Sequence, residues 1–281
     1  MSAPSPDPSS SRPAAIRFVE ADGVRLRTSV RGDGPPLLLI TGLGASLDLA
    51  EPFEREVTAL GFQVIAYDAP GVGQSTPYSW PRRMPGVART VRRMLDQLGY
   101  DRVDVLGVSL GGAVAQQFAR QNPDRVGRLV LAATAPGIGG VPGNPAVLWT
   151  LITPRRYTQP DFYRSVAGKI YGGDARRDPD ALLHGSVARF IELPSMRGYL
   201  AQLYAITGWT SLPWLRTLRQ PTLVLAGDDD PIVPTVNGRI LAHCIPRARL
   251  HVVRGGGHLF LLERPAAMAT LIAEFLRQPE P

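Results

Sequence analysis

Cysteine is almost absent from this 281-residue chain: Cys244 stands alone, which excludes an intramolecular disulfide and a multi-cysteine metal centre. It lies in the apolar run Ile240-Leu241-Ala242-His243-Cys244-Ile245, where a small buried hydrophobe is expected. Histidine is equally sparse. His184, His243, His251 and His258 lack the paired spacing of a metal site, so no metal is expected. Lysine is reduced to Lys169, and the net charge of +7 rests on arginines spread along the chain. They form no basic stripe interleaved with aromatics, so they read as solvated surface charge and no nucleic-acid partner is expected. No apolar run approaches the roughly 20 residues that a bilayer-spanning helix needs. The first residues are rich in Pro and Ser without the apolar centre of a signal peptide. A cytoplasmic protein with a disordered tail at residues 1–14 is expected.

What remains is an ordinary globular composition, 44% hydrophobic and 20% charged, enough to bury a sizeable core without staples. Residues 16–20 and 24–30 flank Ala21-Asp22-Gly23 and read as an opening hairpin. Apolar runs at 36–40, 62–67, 103–108, 129–133, 222–226 and 250–253 read as buried parallel strands. Helical stretches at 51–60, 87–98, 112–121, 236–244 and 265–277 alternate with them. The expected fold class is α/β, a mostly parallel, helix-flanked sheet. One interruption, residues 135–218, is too long for a structureless loop. Its apolar fragments at 146–152 and 199–204 predict a helical cap inserted after the sixth strand, between core segments 15–134 and 219–281.

Chemistry concentrates at Gly107-Val108-Ser109-Leu110-Gly111, which sits between a strand-like and a helix-like run. A serine on so sharp a strand-to-helix turn needs glycines two positions either side, because backbone segments come too close there for a Cβ. This is the pattern of a nucleophile elbow. Serine needs a base, and the base an orienting acid. His258 follows the last strand across the flexible turn Arg254-Gly255-Gly256-Gly257 and can reach back to the elbow. His251 falls in a strand, His243 in a helix and His184 in the cap, which assigns them surface or core roles. The acid is expected after the strand at 222–226, where Asp228, Asp229 and Asp230 are candidates; Asp230, just ahead of Pro231, is preferred and Asp228 held in reserve. Two backbone N–H groups must face the developing negative charge. Leu110, after the serine, supplies one, and Leu43, in Thr41-Gly42-Leu43-Gly44-Ala45, is the candidate for the other. That loop lacks the glycine spacings that cradle phosphate or a dinucleotide, and no cofactor is expected. Asp68-Ala69-Pro70-Gly71-Val72-Gly73-Gln74-Ser75 is a second tight turn, expected to shape the site without reacting.

These residues resemble the α/β-hydrolase superfamily across roughly 42–263. Further segments resemble its intracellular depolymerases of medium-chain poly(3-hydroxyalkanoates): Gly42-Leu43-Gly44-Ala45-Ser46-Leu47, Pro154-Arg155-Arg156-Tyr157, Ile170-Tyr171-Gly172-Gly173, Gly208-Trp209-Thr210-Ser211 and Gly257-His258-Leu259-Phe260-Leu261. Leu110 departs from that subfamily, where tryptophan is expected. The resemblance implies Ser109, Asp230 and His258 as a catalytic triad. It also implies a hydrophobic ester or polyester substrate and contact with a polyester granule surface. Cap aromatics Trp149, Tyr171, Tyr204, Trp209 and Trp214 suit an apolar acyl chain and would equally suit a core of the cap itself. The alternatives are a carboxylesterase, thioesterase or lactonase, or a C–C bond hydrolase, acting on a small soluble substrate. A granule-binding protein with a vestigial site is the reading from outside enzymology. Oligomeric state and acyl-chain length stay open.

Overall fold

Alternating apolar residues decide how the sheet is buried. A computed structural model describes residues 13–179 and 194–279; residues 1–12 of the tail expected at 1–14, and His184, lie outside the described residues. The strands are β1 (Ala15–Ala21), β2 (Val24–Arg31), β3 (Pro36–Ile40), β4 (Gln63–Tyr67), β5 (Val103–Val108), β6 (Val126–Ala132), β7 (Thr222–Gly227) and β8 (Ala248–Val253). They form one sheet in the order β1-β2-β4-β3-β5-β6-β7-β8. β2 pairs antiparallel with β1 and β4, and all other pairs are parallel. In β3, Leu38 and Ile40 enter one core while Leu37 and Leu39 enter the other. The period of two drives both faces into apolar contact, as a central parallel strand requires.

On the first face lie α2 (Met84–Leu98) and α3 (Leu110–Gln121); on the second, α1 (Leu47–Ala59) packs with the C-terminal helix described below. The helix expected at 51–60 begins four residues earlier, at Leu47. The cause is tertiary: Asp68 Oδ1 accepts the Leu47 N–H at 2.8 Å and satisfies the first turn of a helix that contains Pro52.

Between β6 and β7 the chain leaves the sheet for the cap, whose described helices are α4 (Pro145–Thr150), α5 (Arg155–Thr158), α6 (Pro160–Tyr171), α7 (Gly173–Arg177) and α8 (Met196–Ile206). Val147, Tyr163, Ala167, Ile170, Tyr171 and Ala175 give the cap its own small core, which continues onto Ile232 and Leu259 of the main body. After β7 come α9 (Thr235–Cys244), then β8, α10 (Phe260–Glu263) and α11 (Pro265–Leu276). Cys244, expected to be buried, is half-buried and packs against the first core. Among the described residues, no helix is long and apolar enough to cross a membrane.

Candidate active site

The elbow forms because β5 must turn into α3 with no room to spare. A Cβ on Gly107 would lie 2.5 Å from the Gly111 carbonyl oxygen, and one on Gly111 would lie 2.1 Å from that of Ile40. Ser109, between them, takes φ 55° and ψ −119°, a left-handed conformation that strains any residue with a Cβ. Bonds on either side hold it there. Its N–H donates to Ala132 O at 2.9 Å, and its carbonyl accepts from Gly112 N–H at 2.9 Å and from the Thr134 hydroxyl at 2.7 Å. Leu110 is the first residue of α3, so its N–H belongs to the unpaired first turn of a helix, where the macrodipole is positive.

Ser109 Oγ lies 2.9 Å from His258 Nε2, and His258 Nδ1 lies 2.8 Å from Asp230 Oδ2. Asp230 Oδ1 accepts backbone N–H groups from Ile232 and Val233, both at 2.9 Å, which leaves Oδ2 aimed at the ring. A carboxylate only accepts, so the ring proton sits on Nδ1 and the Nε2 lone pair faces the serine hydroxyl. The Asp230 side chain is fully buried and that of His258 is 7% exposed, so little water competes for these bonds.

The three consecutive aspartates separate in role. Asp228 Oδ1 accepts the Gly255 N–H at 2.6 Å, tying down the glycine-rich turn ahead of the histidine. Asp229 accepts the Gly173 N–H at 2.8 Å and pairs with Arg176, fastening α7 of the cap. Only Asp230 faces the imidazole. The turn that looks flexible in sequence is held further by Arg264, which donates to the carbonyls of Arg254 and Gly255, and by His258 N–H, which donates to Tyr171 O at 2.6 Å. Asp68 works behind the site: it caps α1, accepts from Gln74 N–H, and burial pushes its carboxyl up to about 6 against the opposing pull of those N–H groups and Arg27.

Ser109 and His258 open into a cavity of about 590 Å³ between sheet and cap. Leu43 and Leu110 line it beside the serine, and Leu148, Leu151, Tyr163, Leu203, Ile206 and Leu259 make its walls apolar. Of the five cap aromatics named from sequence, only Tyr171 lines this space, alongside Tyr163. Trp149 is 77% exposed, Tyr204 lies under the Arg83 guanidinium, and Trp209 donates to Gln117 while packing edge-on against Trp214. Tyr204 and Trp209 tie the cap to the body, and the pocket wall is largely leucine and isoleucine with Tyr163 and Tyr171 among them. Arg156 also lines the cavity although it is buried; its segment carries part of the family resemblance, but sequence reasoning gave it no role at the site.

A strained serine elbow, a buried histidine and carboxylate in line with it, and a mostly parallel sheet under a cap define an α/β hydrolase. The α/β hydrolase fold family model matches residues 35–265, and the chain belongs to that family and is an enzyme of its class. It is 50% identical over 271 residues to a poly(3-hydroxyalkanoate) depolymerase from Ectopseudomonas oleovorans, covering 95% of this chain and 94% of that protein. A 2-hydroxy-6-oxo-6-phenylhexa-2,4-dienoate hydrolase from Burkholderia cepacia is 29% identical, with 90% of this chain and 91% of that protein covered. Among solved structures, a thermophilic esterase from Thermogutta terrifontis superposes with a TM-score of 0.78 at 25% identity, covering 94% of this chain and 98% of that one.

Proposed function

We propose that this protein hydrolyses esters of 3-hydroxyalkanoic acids, as polymer or oligomer with medium-length side chains, through an acyl-enzyme on Ser109. The observation that carries the reading is the continuous Ser109–His258–Asp230 chain of hydrogen bonds opening into an apolar cavity of about 590 Å³. Ser109 Oγ attacks the ester carbonyl while His258 Nε2 takes its proton. The Leu43 and Leu110 N–H groups receive the developing oxyanion, and Leu110 brings the positive end of α3 to it. Collapse expels the alcohol, to which His258 returns the proton. Water, activated by the same ring, then releases the 3-hydroxy acid. Asp230 holds the Nδ1–H tautomer and stabilises the imidazolium formed midway.

The apolar walls suit an aliphatic side chain, and the half-identical depolymerase supports a polyester as its source. The reading carries with it a cytoplasmic setting at the surface of a polyester granule. The test is acid release from a medium-chain poly(3-hydroxyalkanoate) dispersion by the purified protein, with Ser109→Ala and a soluble p-nitrophenyl ester alongside. Acid release that disappears in the variant is the expected result. Hydrolysis of the soluble ester without attack on polymer refutes the polyester substrate, and turnover that survives Ser109→Ala refutes the serine mechanism.

A further inference from the structure

We infer that the cap sets the geometry of the oxyanion loop, and that Arg156 and Gln202 are positioning residues for the reaction; this rests on Leu43 N–H being an oxyanion donor. The two side chains grip opposite ends of one peptide plane. The carbonyl of Leu43 accepts from Arg156 Nη2 at 3.3 Å, and the N–H of Gly44, across the same peptide bond, donates to Gln202 Oε1 at 2.9 Å. Gly44 sits at φ 72°, where a glycine lets its flanking plane turn at little cost. The Leu43 N–H lies in the preceding peptide plane, which meets this one at Leu43 Cα; a plane free to turn lets ψ of Leu43 and that Cα shift, and with them the loop that carries the N–H. A hydrogen bond at each end opposes the rotation.

The grips come from a fixed platform. Arg156 is buried and its Nη1 donates to the Tyr199 hydroxyl at 2.6 Å, which donates in turn to Leu151 O at 2.6 Å. Tyr199 and Gln202 stand three residues apart on α8 and therefore share a face. That helix is docked backbone to backbone on the turn after β4. The Ser195 N–H and hydroxyl both donate to Gly71 O at 2.9 Å, and a Cβ on Gly198 would lie 2.3 Å from the same oxygen. Burying a guanidinium in the wall of an apolar cavity is costly, and the bond to Leu43 O gives the charge a use there. The cap thus closes the acyl pocket and completes the machinery beneath it.

A reacting group displaced by about 1 Å can lose about 100-fold in rate, and loss of an oxyanion donor costs about 100- to 1,000-fold. Gln202→Met removes the acceptor without changing bulk, and Arg156→Met removes the donor. The measurement is kcat and KM on a soluble p-nitrophenyl ester for the full chain, with affinity for a trifluoromethyl ketone whose serine adduct bears an oxyanion. Each variant is expected to lose about tenfold in kcat and in ketone affinity, with KM within about twofold of wild type. Gln202→Glu, which keeps an acceptor, is expected to recover most of the loss. Unchanged kcat in Gln202→Met overturns the inference, as does a raised KM with unchanged kcat in Arg156→Met, which makes Arg156 a substrate contact. Should Arg156→Met fail to fold, Gln202→Met and its Glu counterpart decide. Turnover surviving Ser109→Ala overturns the underlying reading; loss there with full kcat in Gln202→Met overturns the cap's role alone.

Discussion

Gly111→Ala is the substitution through which the elbow and the oxyanion loop can be shown to depend on one another. Its Cβ would stand 2.1 Å from the Ile40 carbonyl oxygen, 2.5 Å from that of Thr41 and 2.7 Å from the Ile40 carbonyl carbon, where ordinary contact begins at 3.4 Å. All three atoms are backbone, at the point where β3 delivers the chain to Gly42 and Leu43, so no side chain can swing aside. Relief requires the strand end and the elbow to part by about 1 Å, an overpacking cost of about 1–3 kcal/mol. For a domain of this size that lowers Tm by about 2–5 °C. The same displacement lies between Ser109 and the candidate donor Leu43, so kcat is expected to fall about 100-fold. Gly61→Ala serves as the comparison: it sits at φ 84° with nothing within 4 Å of the added Cβ, so it carries backbone strain and no collision. It is expected to lower Tm by a similar amount while leaving kcat within about twofold. Thermal melts and steady-state kinetics on a soluble ester decide the matter. A Gly111→Ala variant with wild-type kcat would refute the claim that elbow and loop are in obligatory contact.

Asp230→Asn is expected to lower kcat by about 1,000- to 10,000-fold, because an amide cannot hold the imidazole tautomer. Asp228→Asn, which keeps an acceptor for Gly255 N–H, is expected to stay within about threefold; equal losses in the two would refute the division of roles. Burial pushes Glu54 up to about 8 from an ordinary 4.5, outweighing Arg31 at 3.7 Å. The folded state therefore holds this proton where the unfolded chain has released it, and the group's contribution falls as pH rises from about 4.5 through about 8. Relative to wild type, Glu54→Gln is expected to gain in Tm between pH 5 and pH 9; a constant difference across that range would contradict it.

Local pattern carried much of this protein. Strand β3 reads from its five-residue apolar run alone, because a strand buried on both faces needs no polar alternation. The elbow reads from its glycines, because the steric demand falls on residues within two positions of the serine. The start of α1 does not, since its cap is a carboxylate 21 residues away. Neither do the jobs of Asp228 and Asp229: the sequence singles out Asp230 of the three, and only the fold brings Gly255 and Gly173 against the other two. The cap aromatics mislead for a related reason: ring content predicts burial, while the neighbours that bury a ring are set by packing.

By itself the sequence determined the alternation of strand and helix, the place of the inserted cap and the candidate nucleophile, all consequences of short-range sterics and hydrophobic period. Only the tertiary structure set Asp230 and not its reserve Asp228 against the imidazole, and decided which side chains wall the cavity and that two cap residues grip the loop of Leu43. Those contacts join positions 28 to 158 residues apart. Hydrogen bonds at such separations are selected by the folded arrangement of the whole chain, and no local pattern encodes them.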